Sequence, residues 1–139
     1  WSLPDEVRTH ALAERWYGRK RIWLPVMRGE ELSLRRFTGR DGLREARFGI
    51  LEPSSGEEIR IGAVDLIVVP GMGFDAQGNR LGRGKGFYDR LLASEGPLKV
   101  GVCFDFQFFE RIPVEPHDRP VDRVVCSTAD RAVVFGEGR

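Results

Sequence analysis

Only two cysteines occur in the 139 residues, Cys103 and Cys126, each inside an apolar segment. With no CxxC spacing and no framework of pairs, a disulfide scaffold and a structural zinc site are both excluded. Neither thiol has the basic, polar setting that activates a nucleophile, so both are expected as buried thiols in a reducing cytoplasm. Histidine is equally scarce. His10 is expected on the first helix, packed or facing solvent, and His117 in a loop, with no chemistry assigned to it. An excess of charge of one sign is missing as well. Lys plus Arg is 22 and Asp plus Glu is 21, so the net charge is 22 − 21 = +1. No global field draws the chain to nucleic acid or to a membrane, and any basic site must be local. Apolar runs such as Leu66-Ile67-Val68-Val69-Pro70 are far shorter than the roughly 20 residues of a membrane-spanning helix. No charged-then-apolar leader signals secretion. Repeats and low-complexity linkers are absent too, and a composition of 41% hydrophobic and 31% charged residues over 139 positions suits one domain with one core.

The apolar pattern that is present alternates between two periods. After Pro4 and Asp5, Val7, Ala11, Leu12 and Trp16 recur at helical spacing, and Gly18 closes the helix near Tyr17. Residues 21–26 read as a strand, and Leu32, Leu34 and Phe37 as a second one. Glu52-Pro53-Ser54-Ser55-Gly56 is turn chemistry. Residues 65–70 form a near-continuous apolar run, which suits a strand buried on both faces of a parallel sheet. A glycine-rich stretch follows, then a helix from Phe87 to about Ala93, a buried strand over 99–104, a helical turn over 107–111, and short β-branched runs over 124–126 and 132–135. Strands alternating with helices predict an α/β sandwich with a mostly parallel sheet. Trp16, Trp23, Phe106, Phe108 and Phe109 are expected in the core, and Glu52 is either a site residue or part of a pre-proline turn.

The informative stretch is Gly78-Asn79-Arg80-Leu81-Gly82-Arg83-Gly84-Lys85-Gly86-Phe87-Tyr88-Asp89-Arg90. Its glycines let backbone N–H groups approach a ligand, and its cations put positive charge on the same loop. A helix beginning near Phe87 aims free N–H groups at the same place. This combination describes either a polyphosphate cradle, with Asp89 offering a hard oxygen for magnesium, or a solvated, flexible basic turn. It is not a Walker loop, because Asn79 stands where the first glycine belongs and Gly86 follows Lys85 in place of Ser or Thr. Just upstream, Gly71-Met72-Gly73-Phe74-Asp75-Ala76 fits a dinucleotide-binding fingerprint, which leaves a nicotinamide-dependent oxidoreductase as a rival. That fingerprint must open a helix, however, and Ala76-Gln77-Gly78-Asn79 predicts a turn.

Val69-Pro70-Gly71, Phe74-Asp75, Gly78, the run from Arg80 to Gly86 and Tyr88-Asp89 resemble the signature of the 5-formyltetrahydrofolate cyclo-ligase family. Supporting stretches are Pro4-Asp5-Glu6-Val7 with Thr9, Gly49-Ile50 with Glu52-Pro53, and Gln107, Ile112-Pro113, Glu115, His117-Asp118 and Asp122. The resemblance covers nearly the whole chain, and RLGRGKGFYD is its most specific run. It implies an α/β three-layer sandwich similar to sugar-phosphate isomerases and CoA transferases. It also implies conversion of 5-formyltetrahydrofolate to 5,10-methenyltetrahydrofolate with ATP and Mg2+. Carried over residue by residue, it puts Arg80, Leu81, Gly82, Arg83, Gly84, Lys85, Gly86, Phe87 and Tyr88 on ATP, with Lys85, Arg83 and Tyr88 at the chemistry. Trp1, Glu6, Arg83, Gly84, Lys85, Gly86 and Phe87 would meet the folate, and Asp89 and Asp118 the metal. Phe87 stands where many members have Tyr. The family's opening helix and first strand are not found ahead of Trp1, so residues 1–139 are expected to be one cyclo-ligase domain lacking its N-terminal part. A monomer acting on small molecules is expected, with no nucleic-acid or membrane partner. The alternative is a non-catalytic module of the same fold that holds a phosphorylated ligand.

Overall fold

The computed structural model describes the chain except residues 3, 5, 83–86, 94, 117, 129–131 and 137–139, with only the backbone of 87, 90 and 91. In chain order the elements are α1 (His10–Trp16), β1 (Trp23–Arg28), β2 (Glu31–Arg36), β3 (Leu43–Glu45), β4 (Leu51–Pro53), β5 (Glu58–Ile59), β6 (Leu66–Val69), β7 (Gly73–Phe74), β8 (Arg80–Leu81), α2 (Phe87–Leu92), β9 (Leu98–Phe104), β10 (Arg123–Ser127) and β11 (Ala132–Phe135). The fold is α/β. Its main sheet has the order β11-β10-β9-β6, in which β9 pairs parallel with both β6 and β10 and β11 closes one edge antiparallel. The β6–loop–α2–β9 path is a crossover unit, which is what two parallel neighbours require. Among the described residues no helix is long and apolar enough to cross a membrane.

The expectation of a mostly parallel sheet fits these four strands and fails for the first half of the chain. There β1, β2 and β5 form an antiparallel sheet and β3–β4 a two-stranded antiparallel ribbon, while a second ribbon, β7–β8, falls between β6 and β9. The β1–β2 hairpin pairs Arg28 with Glu31 across a two-residue turn. Gly29 in that turn takes φ +61°, the positive φ that tight hairpins need.

The first helix starts later than its apolar spacing predicts, at His10. The residues ahead of it fold back instead: the Thr9 amide donates to Ser2 Oγ at 3.3 Å, His10 Nε2 lies 3.1 Å from the Ser2 carbonyl, and the His10 ring stacks on Trp1 at 4.1 Å. The helical turn expected at 107–111 sits earlier, as a 3-10 turn at Asp105–Gln107. Gln107 fixes it by returning its Oε1 to the Phe104 amide at 3.0 Å.

Two clusters make the core. Val69, Phe74, Leu92, Cys103, Val121, Val124 and Cys126 fill the main sheet's packed face. Ala13, Phe37 and Leu43 form a smaller cluster under the antiparallel half. Both cysteines are free and buried, as the sequence predicts. Burial, and then the neighbouring Cys126 thiol, push Cys103 up to about 12, so it stays a neutral thiol. The aromatic expectations divide. Phe108 packs on the core and stacks on Phe135 at 4.4 Å, whereas Phe106 is 73% exposed and Phe109 also faces solvent. The Asp105–Gln107 turn carries Phe106 off the end of β9, beyond the reach of the core.

Candidate functional site

The site is assembled where β6 ends. Val69 is buried, and Pro70 and Gly71 lead into the β7–β8 hairpin. Phe74 anchors this hairpin in the core: its ring presses on Gly101 so closely that a Cβ there would sit 2.4 Å from it. The connecting turn is held from inside by Asp75, which is fully buried. Its Oδ1 accepts the amides of Gln77 at 3.1 Å and Asn79 at 2.9 Å. Its Oδ2 accepts Asn79 Nδ2 and the Ile112 amide, both at 3.0 Å. Gly78 in this turn has φ +84°, and a Cβ would meet the Val121 carbonyl at 2.2 Å. No helix follows Gly71-Met72-Gly73, so the dinucleotide fingerprint lacks the element that gives it meaning.

The hairpin delivers Arg80. Its Nε donates to the Pro70 carbonyl at 2.6 Å, its guanidinium lies 5.0 Å over the Tyr88 ring, and its Nη1 stands 4.0 Å from Asp89 Oδ1. Its side chain is only 9% exposed. Burial lowers the Arg80 pKa, opposed by Asp89 and then by Tyr88 and Glu6. The Tyr88 hydroxyl is pushed up to about 12, chiefly by burial and also by the Glu6 carboxylate, with Arg80 pulling the other way. Tyr88 is therefore a neutral hydrogen-bond donor across the physiological range.

These groups open on one cavity of about 1150 Å³. Residues of the antiparallel half, of the segment before α1 and of the main sheet all contribute to its wall. Trp1, Glu6, Arg80, Leu81, Gly82, Tyr88, Asp89 and Asp118 line it together, although they come from three well-separated stretches of sequence. Arg83, Gly84, Lys85 and Gly86 lie outside the described residues, as do His117 and the side chain of Phe87. Glu6 precedes the first helical residue by four positions, so α1 begins without an acidic residue in its first turn and Glu6 is no helix-start charge. Asp118 accepts the Glu115 amide through Oδ2 at 2.7 Å, so it shapes a turn while facing the cavity.

Three cavity residues were not expected from the sequence in this place. Trp16 and Trp23 line the cavity and belong to neither core cluster. Trp23 carries the Arg36 guanidinium 5.5 Å over its ring. Phe48 is exposed, lines the cavity and sits at φ +60°, a conformation a bulky side chain rarely takes. Glu52, read as a turn or site residue, is a β4 residue with 7% exposure on the cavity wall, accepting the Met27 amide at 3.1 Å. A local apolar signal cannot tell a core aromatic from one that lines a large cavity.

Among the described residues no three His, Cys, Asp or Glu side chains gather into a metal cage. Magnesium does not need one, because it keeps waters and takes one or two carboxylates together with substrate phosphates. Asp89, which approaches Arg80, and Asp118 are hard-oxygen donors lining the same cavity and are of the type that requirement asks for.

Fold and cavity together define an α/β protein with a large cavity that runs along β6 and past its carboxyl end. The model of the 5-formyltetrahydrofolate cyclo-ligase family matches residues 1–127, and the chain belongs to that family. The 5-formyltetrahydrofolate cyclo-ligase of Mus musculus is 33% identical over 140 residues, spanning 89% of this chain and 69% of that protein. The NMR structure of Aquifex aeolicus 5,10-methenyltetrahydrofolate synthetase matches with a TM-score of 0.85 at 41% identity, over 100% of this chain and 71% of that one. A 5,10-methenyltetrahydrofolate synthetase from Mycoplasma pneumoniae shares the fold at a TM-score of 0.68 and 20% identity, over 89% of this chain and 68% of that one.

Proposed function

We propose that the protein closes 5-formyltetrahydrofolate to 5,10-methenyltetrahydrofolate, converting ATP to ADP and phosphate. The observation that carries this is the convergence of Trp1, Glu6, Arg80, Tyr88, Asp89 and Asp118 on one cavity.

The chemical difficulty is a poor leaving group. N10 must attack the formyl carbon on N5, and the formyl oxygen has to depart. Attack of that oxygen on the γ-phosphorus of ATP forms an O–P bond, breaks the bond to ADP, and turns the oxygen into part of a phosphate ester. N10 then bonds to the formyl carbon and loses its proton, and the C–O bond breaks with phosphate leaving. Phosphoryl transfer of this kind demands positioning and charge stabilisation more than covalent help. Residues 80–88 supply it: Arg80, Leu81, Gly82, Arg83, Gly84, Lys85, Gly86, Phe87 and Tyr88 hold the triphosphate. Lys85 and Arg83 stabilise the transferred phosphoryl, and Tyr88 donates its hydroxyl. Asp89 and Asp118 would hold magnesium, which would supply positive charge against the triphosphate. Trp1 and Glu6 take the pterin, Glu6 accepting its paired N–H donors, and Arg83, Gly84, Lys85, Gly86 and Phe87 reach it from the other side.

The same reading takes residues 1–139 as one cyclo-ligase domain of a three-layer α/β sandwich. It takes the protein as cytoplasmic, for which the two free buried thiols are the support, and as a monomer acting on small molecules. The test is formation of the methenyl product, followed by its near-UV absorbance, with the full-length protein, Mg-ATP and 5-formyltetrahydrofolate. Phosphate should appear in step with product. Tight ligand binding without turnover would favour the non-catalytic module.

A further inference from the structure

Asp75 is a fully buried carboxylate that the chemistry above does not use. Its side chain has 0% exposure and accepts four N–H groups at 2.9–3.1 Å. The two oxygens do different work. Oδ1 closes the turn between β7 and β8 by taking the Gln77 and Asn79 amides. Oδ2 reaches 37 residues along the chain to the Ile112 amide while also holding Asn79 Nδ2. A second tie runs alongside, from the Val121 amide to the Gly78 carbonyl at 2.9 Å. On one side of this junction, one residue after Asn79, Arg80 enters the cavity and meets Asp89. On the other side, Ile112 leads directly to Pro113 and on to Glu115 and Asp118, all three on the cavity wall. Trp1, Glu6 and Glu52 stand on segments that receive none of the Asp75 side-chain bonds.

We propose that Asp75 is a positioning residue that yokes the Arg80 hairpin to the 112–118 segment and so sets the spacing of the phosphate and magnesium end of the site. This rests on the phosphate-site reading given above. A carboxylate is required because both oxygens must accept. An amide in its place turns an N–H donor toward the Ile112 amide and Asn79 Nδ2, or toward the turn, and leaves two donors facing each other.

The test is Asp75→Asn in the full-length protein, read three ways below its unfolding temperature: amide hydrogen exchange, calorimetric titration with Mg-ATP, and calorimetric titration with 5-formyltetrahydrofolate. The Ile112 amide should lose protection. Mg-ATP affinity should fall by about 10–100-fold, the range for residues that orient metal-site ligands, while folate affinity stays near that of the wild type. Retained protection at Ile112 would overturn the yoke. So would a melting temperature that drops while Mg-ATP affinity holds, or affinities for both ligands falling together, since a purely structural residue gives those outcomes. If Asp75→Asn does not fold, Asn79→Ala keeps the carboxylate and removes only the Nδ2 bond. It should weaken Mg-ATP in the same selective way by a smaller factor, and unchanged Mg-ATP affinity in it overturns the proposal. Wild-type protein that fails to bind Mg-ATP refutes the functional reading at the outset, and this inference with it.

Discussion

Arg80→Lys asks whether a buried arginine at the cavity wall is scaffold, ligand contact or both. Lysine keeps the charge but has one ammonium where arginine has a planar fork. In the wild type that fork donates to Pro70 at 2.6 Å, covers the Tyr88 ring at 5.0 Å and approaches Asp89 at 4.0 Å. Losing the ionised donor to Pro70 costs about 1.5–3 kcal/mol. Losing the stacked cation removes about 0.5–2 kcal/mol. The Asp89 pair, at the limit of contact distance, is worth about 1 kcal/mol at most, and lysine can keep part of it. Against these losses stands the desolvation that already lowers the Arg80 pKa, which an ammonium free to turn toward solvent partly escapes. The net loss is about 2 kcal/mol. For a chain of this length that lowers Tm by about 5–8 °C. If the same fork also grips phosphate oxygens bidentately, Mg-ATP affinity should drop by about tenfold as well. Thermal unfolding and calorimetric titration read the two effects separately. An unchanged Tm would refute the energetic weight given to the Pro70 and Tyr88 contacts. A lowered Tm with wild-type nucleotide affinity would make Arg80 a scaffold residue alone.

Lys85→Ala should reduce kcat by about 10²–10³, the effect of removing one transition-state donor; steady-state kinetics with survival of kcat would remove Lys85 from the chemistry. Glu6→Gln should weaken 5-formyltetrahydrofolate and spare ATP, because an amide presents a donor where the pterin needs an acceptor. Asp89→Asn should instead raise the magnesium required for turnover. Calorimetry of each variant with each ligand decides this pair, and equal small losses of stability with no selective loss of ligand would dismiss both assignments. Tyr88 gives a pH signature. Its folded value of about 12 lies above the ordinary 10.0, so the folded state holds the proton more tightly than the unfolded one. Its contribution to stability is full below pH 10 and is lost as pH rises toward 12. Denaturant unfolding across that window should show a steeper alkaline decline in wild type than in Tyr88→Phe, and identical declines would contradict the burial of the hydroxyl.

The parallel half of the fold was legible because its signals are local. The apolar run at Leu66–Val69 is a parallel strand as its sequence predicts, but it is not covered on both faces: Val69 is buried, Leu66 is exposed, and Leu66, Ile67 and Val68 line the cavity. The turn at Ala76-Gln77 was legible for the same reason and disposed of the dinucleotide fingerprint. In the antiparallel half β1 and β2 were legible as strands, but β3, β4 and β5 were not, since they are two or three residues long and too short to show a period. Pro25 in β1 and Arg35-Arg36 in β2 further blur the alternation. In the site, Arg80, Tyr88 and Asp89 were readable as one run of sequence. The cavity roles of Trp16, Trp23 and Phe48 were hidden because an aromatic lining a large cavity has the same spacing as one in a core. Asp75 shows the sharper limit. Its bonds to Gln77 and Asn79 are a turn signal, but its bond to Ile112 depends on packing between segments 37 residues apart.

The central claim is that the formyl oxygen leaves as part of phosphate. The most direct measurement supplies 5-formyltetrahydrofolate carrying a heavy-oxygen label in its formyl group, with Mg-ATP and the full-length protein, and follows the label by mass spectrometry. Phosphate released in step with methenyl product should carry the label, one atom per turnover. Product accompanied by unlabelled phosphate, with the label in water, would contradict phosphorylation of the formyl oxygen.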